Sequence, residues 1–285
     1  MVIEMEKLIA VGLNVVDKYP ALGVMYPGGN ELNVAVYARW LGAQSAFLGV
    51  FGSDGAARSN EEVLRKEGVE ISHCRHEQGE NGYAIVTLVN GDRVFGEFND
   101  GGVTGRFPIR LTGEDMRYIR GFDVISASIN SRLPEREIER LHSAGVPLSY
   151  DFSDRYTPGH LRRVAPHVDF GFVSCSGMDW SRTEAFLREL HALGCPVPVA
   201  TRGSEGALLF DGNSFYRQPA EKAEVVDTMG AGDSFITAFL LEYAAGVKAG
   251  LEGEAIYRKA LQAGARFAAK ICGLQGAIGH PMPLL

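Results

Sequence analysis

The 285-residue chain holds only four cysteines, Cys74, Cys175, Cys195 and Cys272, and none forms a CxxC pair. A chain this long needs no disulfide framework, so the four read as reduced, mostly buried thiols of a cytoplasmic protein. No Cys/His cluster has zinc-ligand spacing, and His73 and His76 read as surface residues. No apolar run approaches the ~18 residues of a membrane span. The N-terminus lacks the basic start, apolar stretch and small-residue cleavage site of a secretory signal. Positive charge is not in excess: 28 Lys and Arg stand against 35 Asp and Glu, a net charge of -7. That balance argues against a nucleic-acid binder, which would carry a basic stripe, and is too mild for a disordered chain. The usual nucleotide signatures are missing as well. There is no GxxxxGK[ST], and the turn after the first strand reads Gly12-Leu13-Asn14-Val15-Val16-Asp17 rather than GxGxxG. No HRD precedes Asp151-Phe152-Ser153, so a protein kinase is excluded too.

What is present is the composition of a single globular domain over residues 1–285, with 46% apolar and 22% charged residues. Leu8 to Gly12 reads as a strand, and Gly28-Gly29 precedes a helical run through Leu32, Ala35, Val36 and Trp40. Phe47 to Val50 is a strand and Asn60 to Lys66 a helix stopped by Gly68. Tyr83 to Val89 and Arg93 to Phe98 flank Asn90-Gly91, a strong hairpin signal because type I′ turns need positive φ at both positions. Alternation then resumes. Strands are expected at 123–127, 147–151, 170–174 and 197–201, with helices at 135–144 and 183–193 between them. A hairpin of 207–210 and 214–218 follows, and helices at 231–245 and 254–271 close the chain. Repeated strand–helix alternation implies a mainly parallel sheet covered on both faces.

The sharpest local signal is Asp227-Thr228-Met229-Gly230-Ala231-Gly232-Asp233-Ser234-Phe235. A β-branched pair, Val225-Val226, gives way to small residues and then to an apolar helix. This puts Gly230, Ala231 and Gly232 at a helix N-terminus, where unpaired N–H groups and the helix dipole favour phosphate. Asp233 falls in the first turn beside that anion site. A carboxylate there can take the proton of an acceptor hydroxyl while the N–H groups stabilise the transferred phosphoryl oxygens.

This string resembles the C-terminal signature of the ribokinase-like, or PfkB, family of carbohydrate kinases. Gly28-Gly29-Asn30-Glu31-Leu32-Asn33-Val34-Ala35 is similar to the family's N-terminal signature, and Gly52-Ser53-Asp54 to its continuation. The resemblance extends over nearly the whole chain. It implies a three-layer α/β/α sandwich with a small β lid built from segments around 14–30 and 82–104. It implies ATP and Mg2+ as cofactors, and Asp233 as catalytic base with Gly230, Ala231 and Gly232 as the anion hole. Asn14, Asp17, Gly28, Gly29, Asn33 and Arg93 would hold the sugar, and Thr201, Gly203 and Gly206 the nucleotide. Asp227 and Thr228 would hold a monovalent cation such as K+. The strings Asn14 to Pro20, Asn33 to Tyr37, Asp92 to Gly96 and Asp151 to Asp154 resemble those of family members acting on ketose-amines, which implies the 6-hydroxyl of fructoselysine or a relative as acceptor. The family's Asn-x-x-Glu has no clean equivalent in Ser174-Cys175-Ser176-Gly177-Met178-Asp179, so magnesium is expected to arrive with ATP. Exposed lid strands offer edges for pairing, which implies a homodimer. Two alternatives stay open: a kinase for another sugar, sugar acid or nucleoside, and a silent sugar or nucleotide sensor on the same fold.

Overall fold

The structure, a computed structural model, describes residues 5–89 and 92–284. The expected Asn90-Gly91 turn lies outside the described residues. The first third of the chain runs β1 (Lys7–Gly12), β2 (Val15–Tyr19), β3 (Val24–Gly28), α1 (Asn30–Trp40), β4 (Gln44–Phe51), α2 (Gly55–Lys66), β5 (Arg75–His76), β6 (Gly82–Val89) and β7 (Asp92–Phe98). It continues through α3 (Val103–Arg106), α4 (Gly113–Ile119), β8 (Val124–Ser128), α5 (Glu135–His142), β9 (Leu148–Ser153), α6 (Pro158–Val164), β10 (Phe170–Ser174) and α7 (Trp180–Ala192). The last third is β11 (Val197–Thr201), β12 (Ala207–Phe210), β13 (Phe215–Gln218), α8 (Ala231–Lys248), α9 (Gly253–Cys272) and β14 (Met282–Pro283).

Nine strands form one sheet in the order β13-β12-β11-β10-β9-β8-β1-β4-β5. From β11 to β5 every pairing is parallel; β12 and β13 add the antiparallel hairpin expected at 207–218. Apolar runs without alternation suit such a sheet, because both of its faces are covered. Strand β1 shows the period of two: Leu8 and Ala10 join the core under α1, α8 and α9, while Ile9 and Val11 join the opposite core with Ile125, Ile138 and Leu187. Helix starts follow their side chains. Asp54 accepts from Ala57 N and so begins α2 five residues before the expected Asn60. Thr112 and Asp115 make the capping box of α4.

A second sheet of five strands, β14-β3-β2-β6-β7, includes both segments expected to form the lid. Its edge strand β14 comes from the C-terminus, a contribution the sequence does not announce. Strand β1 is the switch point of the large sheet, since the chain leaves it toward β4 on one side and returns as β8 on the other. In open α/β sheets ligands bind outside the strand C-termini at such a point. The ends Gly12, Ser128, Ser153, Ser174 and Thr201 all lie along that edge.

Candidate active site

The loop before α8 is built tightly. Asp227 accepts from Met229 N and from Gly276 N, both at 2.8 Å, and so ties this turn to the turn after α9. Gly230 caps α8 with φ +74°. A Cβ at Gly230 would lie 2.8 Å from the Ala277 Cβ and closer still to the Tyr37 hydroxyl, which itself donates to Ala277 O. Gly232 is the opposite case: a Cβ there would meet nothing within 4 Å. The fold leaves that space open, although Ala would suit a helix better than Gly. Ala231 N–H turns back to Thr228 O at 3.2 Å. The N–H groups of Gly232 and Asp233, in the first turn of α8, have no acceptor within the helix and form the positive end of its dipole.

Asp233 lies in that first turn and is buried. Its two oxygens accept from Asn30 Nδ2 at 2.8 Å and Asn33 Nδ2 at 2.7 Å. Asn30 in turn accepts from Asn130 Nδ2 at 2.9 Å. The chain Asn130, Asn30, Asp233 and Asn33 therefore fixes the carboxylate's orientation from three separate segments. Burial pushes the Asp233 carboxyl up to about 6, against the lowering effect of the two amides. Among the described residues Asn33 Oδ1 is buried without a hydrogen-bond partner, an acceptor that a sugar hydroxyl would satisfy.

Two further carboxylates lie close enough to Asp233 to feel its charge. Glu31 accepts from Leu13 N at 3.0 Å and lies against Gly12, where a Cβ would come 2.7 Å from Glu31 Cδ. Asp151 lies two residues before the end of β9 and accepts from Ser153 N at 2.8 Å. Burial raises both to about 7, and the neighbouring Asp233 charge adds to each. Asp151 is half-buried, yet protein surrounds it closely enough to disfavour its charge. Their folded values lie above those of the free side chains. The two groups thus favour folding fully below pH ~4, and that contribution is lost as pH rises through 7. Asp151→Asn, which keeps the Ser153 contact, is expected to raise the melting temperature at pH 8 and leave it nearly unchanged at pH 4.5. Thermal melts at the two pH values check this, and an equal shift at both would rule out the charge as its cause.

In the second sheet β2 pairs with β3 with Asp17 opposite Tyr26, and the Asp17 carboxylate reaches diagonally to Gly28: a Cβ there would come 2.6 Å from Asp17 Oδ2. Gly28→Ala should therefore displace the Asp17 carboxylate. The expected result is a sugar KM raised about tenfold, as for one lost hydrogen bond to a charged group, with the ATP KM unchanged. Initial-rate kinetics in both substrates check it. Gly29 begins α1 at φ +103° with no room for a side chain over Leu13 O. Asn14 is fully buried and its amide is taken up by the scaffold, donating to Val50 O and accepting from Asn60 and Asn81. Arg93 sits in β7 opposite Leu88, and its side chain lies outside the described residues.

At the other end of the crevice, Thr201 ends β11 and leads into a loop with Gly203 at φ +54° and Gly206 at φ +101°. A side chain on Gly206 would strike the Gln218 carbonyl. Just before these glycines Arg202 is buried, lies 4.1 Å over the Trp180 ring and pairs with Glu205 at 2.9 Å. Among the described residues no group of three or more His, Cys, Asp or Glu is placed to hold a metal ion. A K+ at Asp227 and Thr228 suits the oxygen-rich loop only in part, because both Asp227 oxygens already accept backbone N–H groups.

The site thus brings together Asp233, Asn33, the glycines of the α8 turn and Gly29 at the head of α1. It adds Asn30, Asn130 and Glu31, none of which the sequence analysis singled out.

Comparison with known proteins gives the family and the fold. The profile described as pfkB family carbohydrate kinase matches residues 5–284. Fructosamine kinase FrlD of Bacillus subtilis (strain 168) is 41% identical over 278 residues, 97% of this chain and 94% of that protein. Fructoselysine 6-kinase of Escherichia coli (strain K12) is 35% identical, with 90% of this chain and 98% of that protein covered. Among solved structures, Arabidopsis thaliana ribokinase complexed with ribose and ATP superposes with a TM-score of 0.80 at 22% identity, covering 96% of this chain and 95% of that one. The chain therefore has a ribokinase-like fold and belongs to the pfkB family of carbohydrate kinases.

Proposed function

We propose that this kinase transfers the γ-phosphoryl group of MgATP to the 6-hydroxyl of a ketose-amine such as fructoselysine. The observation that carries the chemistry is the empty position at Gly232, directly beside an amide-held Asp233. The fold does not require glycine there, and the close approach of a phosphate to the helix end does. The substrate class rests on the two similar kinases named above, which cover nearly the whole chain.

In the reaction the sugar's primary hydroxyl lies against Asp233. The carboxylate takes its proton as the oxygen attacks the γ-phosphorus, and the bond from that phosphorus to ADP's terminal oxygen breaks. The N–H groups of Gly232 and Asp233 and the helix dipole stabilise the negative charge on the transferred group. Asn30 and Asn33 hold the carboxylate in place, so no reorientation is needed as the proton moves. Asp17 accepts from sugar hydroxyls on the lid side. The Thr201 to Gly206 loop receives the nucleotide, and magnesium enters as part of MgATP. No step is routed through K+, given the partial match at Asp227 and Thr228.

An ADP-release assay with MgATP tests the reading across fructoselysine, other ketose-amines, ribose, fructose, sugar acids and nucleosides. Turnover strongest on a ketose-amine is expected. Turnover strongest on ribose, a sugar acid or a nucleoside would keep the kinase and discard the substrate class. Ligand-induced thermal stabilisation without any turnover would favour a sensor. Strand β7 is an edge of the lid sheet and carries the exposed Phe98, which supports a homodimer through the lid. Sedimentation at micromolar concentration should show the dimer, and a monomer there would remove it.

A further inference from the structure

A cavity of about 520 Å3 opens beside the sugar crevice, between the loop before β6, the turn after β7 and the residue after Ser131. Its wall carries both signs of charge: Arg106 and Arg132, and Glu80 and Asp100. It shares structure with the site. Arg132 directly follows Ser131, whose hydroxyl would clash with any side chain at Gly12. On the other wall, a Cβ at Gly101 would touch Leu13 at 3.2 Å, and Leu13 N–H is the donor to Glu31.

The charged groups are not locked to one another. Arg132 and Asp100 pair at 2.7 Å, but both are largely exposed, at 43% and 72% of their side-chain surface. Such a pair is worth little and is readily exchanged for other partners. Among the described residues no carboxylate pairs with Arg106. Both Asp100 and Arg132 hold left-handed backbone, at φ +55° and +51°. That conformation is costly for non-glycine residues and is frequent at ligand clamps.

A neutral sugar has no use for two guanidinium groups facing two carboxylates. The lysine arm of fructoselysine does, because it is joined through its side-chain nitrogen and its far end carries an ammonium and a carboxylate on one carbon. We infer that this cavity is the subsite for the zwitterionic amino-acid arm of the substrate. Arg132 and Arg106 receive the α-carboxylate, and Asp100 and Glu80 receive the α-ammonium. The inference rests on the ketose-amine reading above and extends it from the sugar to the arm.

The test compares fructoselysine with N-(1-deoxyfructosyl)pentylamine, which has the same carbon stem and lacks both charged groups. Wild-type kinase should prefer fructoselysine, and Arg132→Ala should reduce the ratio of the two kcat/KM values about 10- to 100-fold, the range for a hydrogen bond to a charged group. Arg132→Lys should restore part of the ratio, mainly through KM. A purely structural role for Arg132 would lower both activities together and leave the ratio unchanged, which would overturn the inference. A wild-type ratio near one would also overturn it while leaving the ketose-amine kinase intact. Failure of the wild type to phosphorylate either compound would remove the ketose-amine reading, and this inference with it.

Discussion

Asp233→Asn should fold as the wild type does and lose about 10²- to 10⁴-fold in kcat, the usual range for a lost general base. Asn keeps an oxygen for one of the two amides that now hold the carboxylate and removes a buried charge, so its melting temperature should fall by no more than a degree or two. Stopped assays and thermal melts on the same preparation separate the two effects. The wild-type pH profile gives an independent reading. With the carboxyl raised to about 6, kcat/KM should climb about tenfold per pH unit below 6 and level off above it. The base works only when deprotonated, so the loss lies on the acid side. A profile flat from pH 5 to 8 would contradict Asp233 as the base, as would a variant retaining more than about a tenth of the activity.

The two glycines at the head of α8 should fail in different ways. Gly230→Ala forces a side chain into positive φ and onto Tyr37 and Ala277. Strain and overpacking together should cost about 2 kcal/mol or more, seen as a melting temperature lowered by about 5 °C or more. Activity should fall with it, because the turn braced by Asp227 can no longer close. Gly232→Ala adds a methyl group that, among the described residues, meets nothing within 4 Å beyond its own helix. It should melt at or slightly above the wild-type temperature, since Ala is favoured over Gly in a helix by about 0.5–1 kcal/mol. Yet it places a methyl group where the transferred phosphoryl must approach, and kcat should drop about 10²-fold, as when one oxyanion donor is lost. A Gly232→Ala protein that is both stable and fully active would remove the ligand-based explanation for glycine at that position.

The parts of this site legible in the sequence are those made by consecutive residues. The run from Asp227 to Phe235 contains its own turn, helix start and carboxylate, so its chemistry can be read without the fold. The parts that were not legible are made by contacts between distant segments. Asn30 reaches Asp233 across 203 residues, and Asn130 reaches Asn30 across 100. Neither has a local pattern that distinguishes it from an Asn capping a helix or a turn. Asn14 shows the converse: a polar residue at a strand end suggests a ligand, while the fold uses its amide to join β4, α2 and the start of β6. In the fold, the alternating helices and parallel strands follow from apolar periodicity. Strands β2 and β3 are short, flank a 3-10 turn at Pro20–Leu22 and carry Pro27. Their pairing therefore depends on partners in β6 and β14 rather than on their own pattern. The charged cavity beside the crevice is assembled from three segments and has no sequence signature at all.

The most direct test of the account is the product itself. Wild-type kinase should be incubated with MgATP and fructoselysine and the product examined by 31P–1H correlation NMR. The account predicts a phosphomonoester coupled to the C6 methylene protons, and almost none of it when Asp233→Asn replaces the wild type. Phosphate on a different carbon, no phosphoester at all, or the same yield from Asp233→Asn would contradict it.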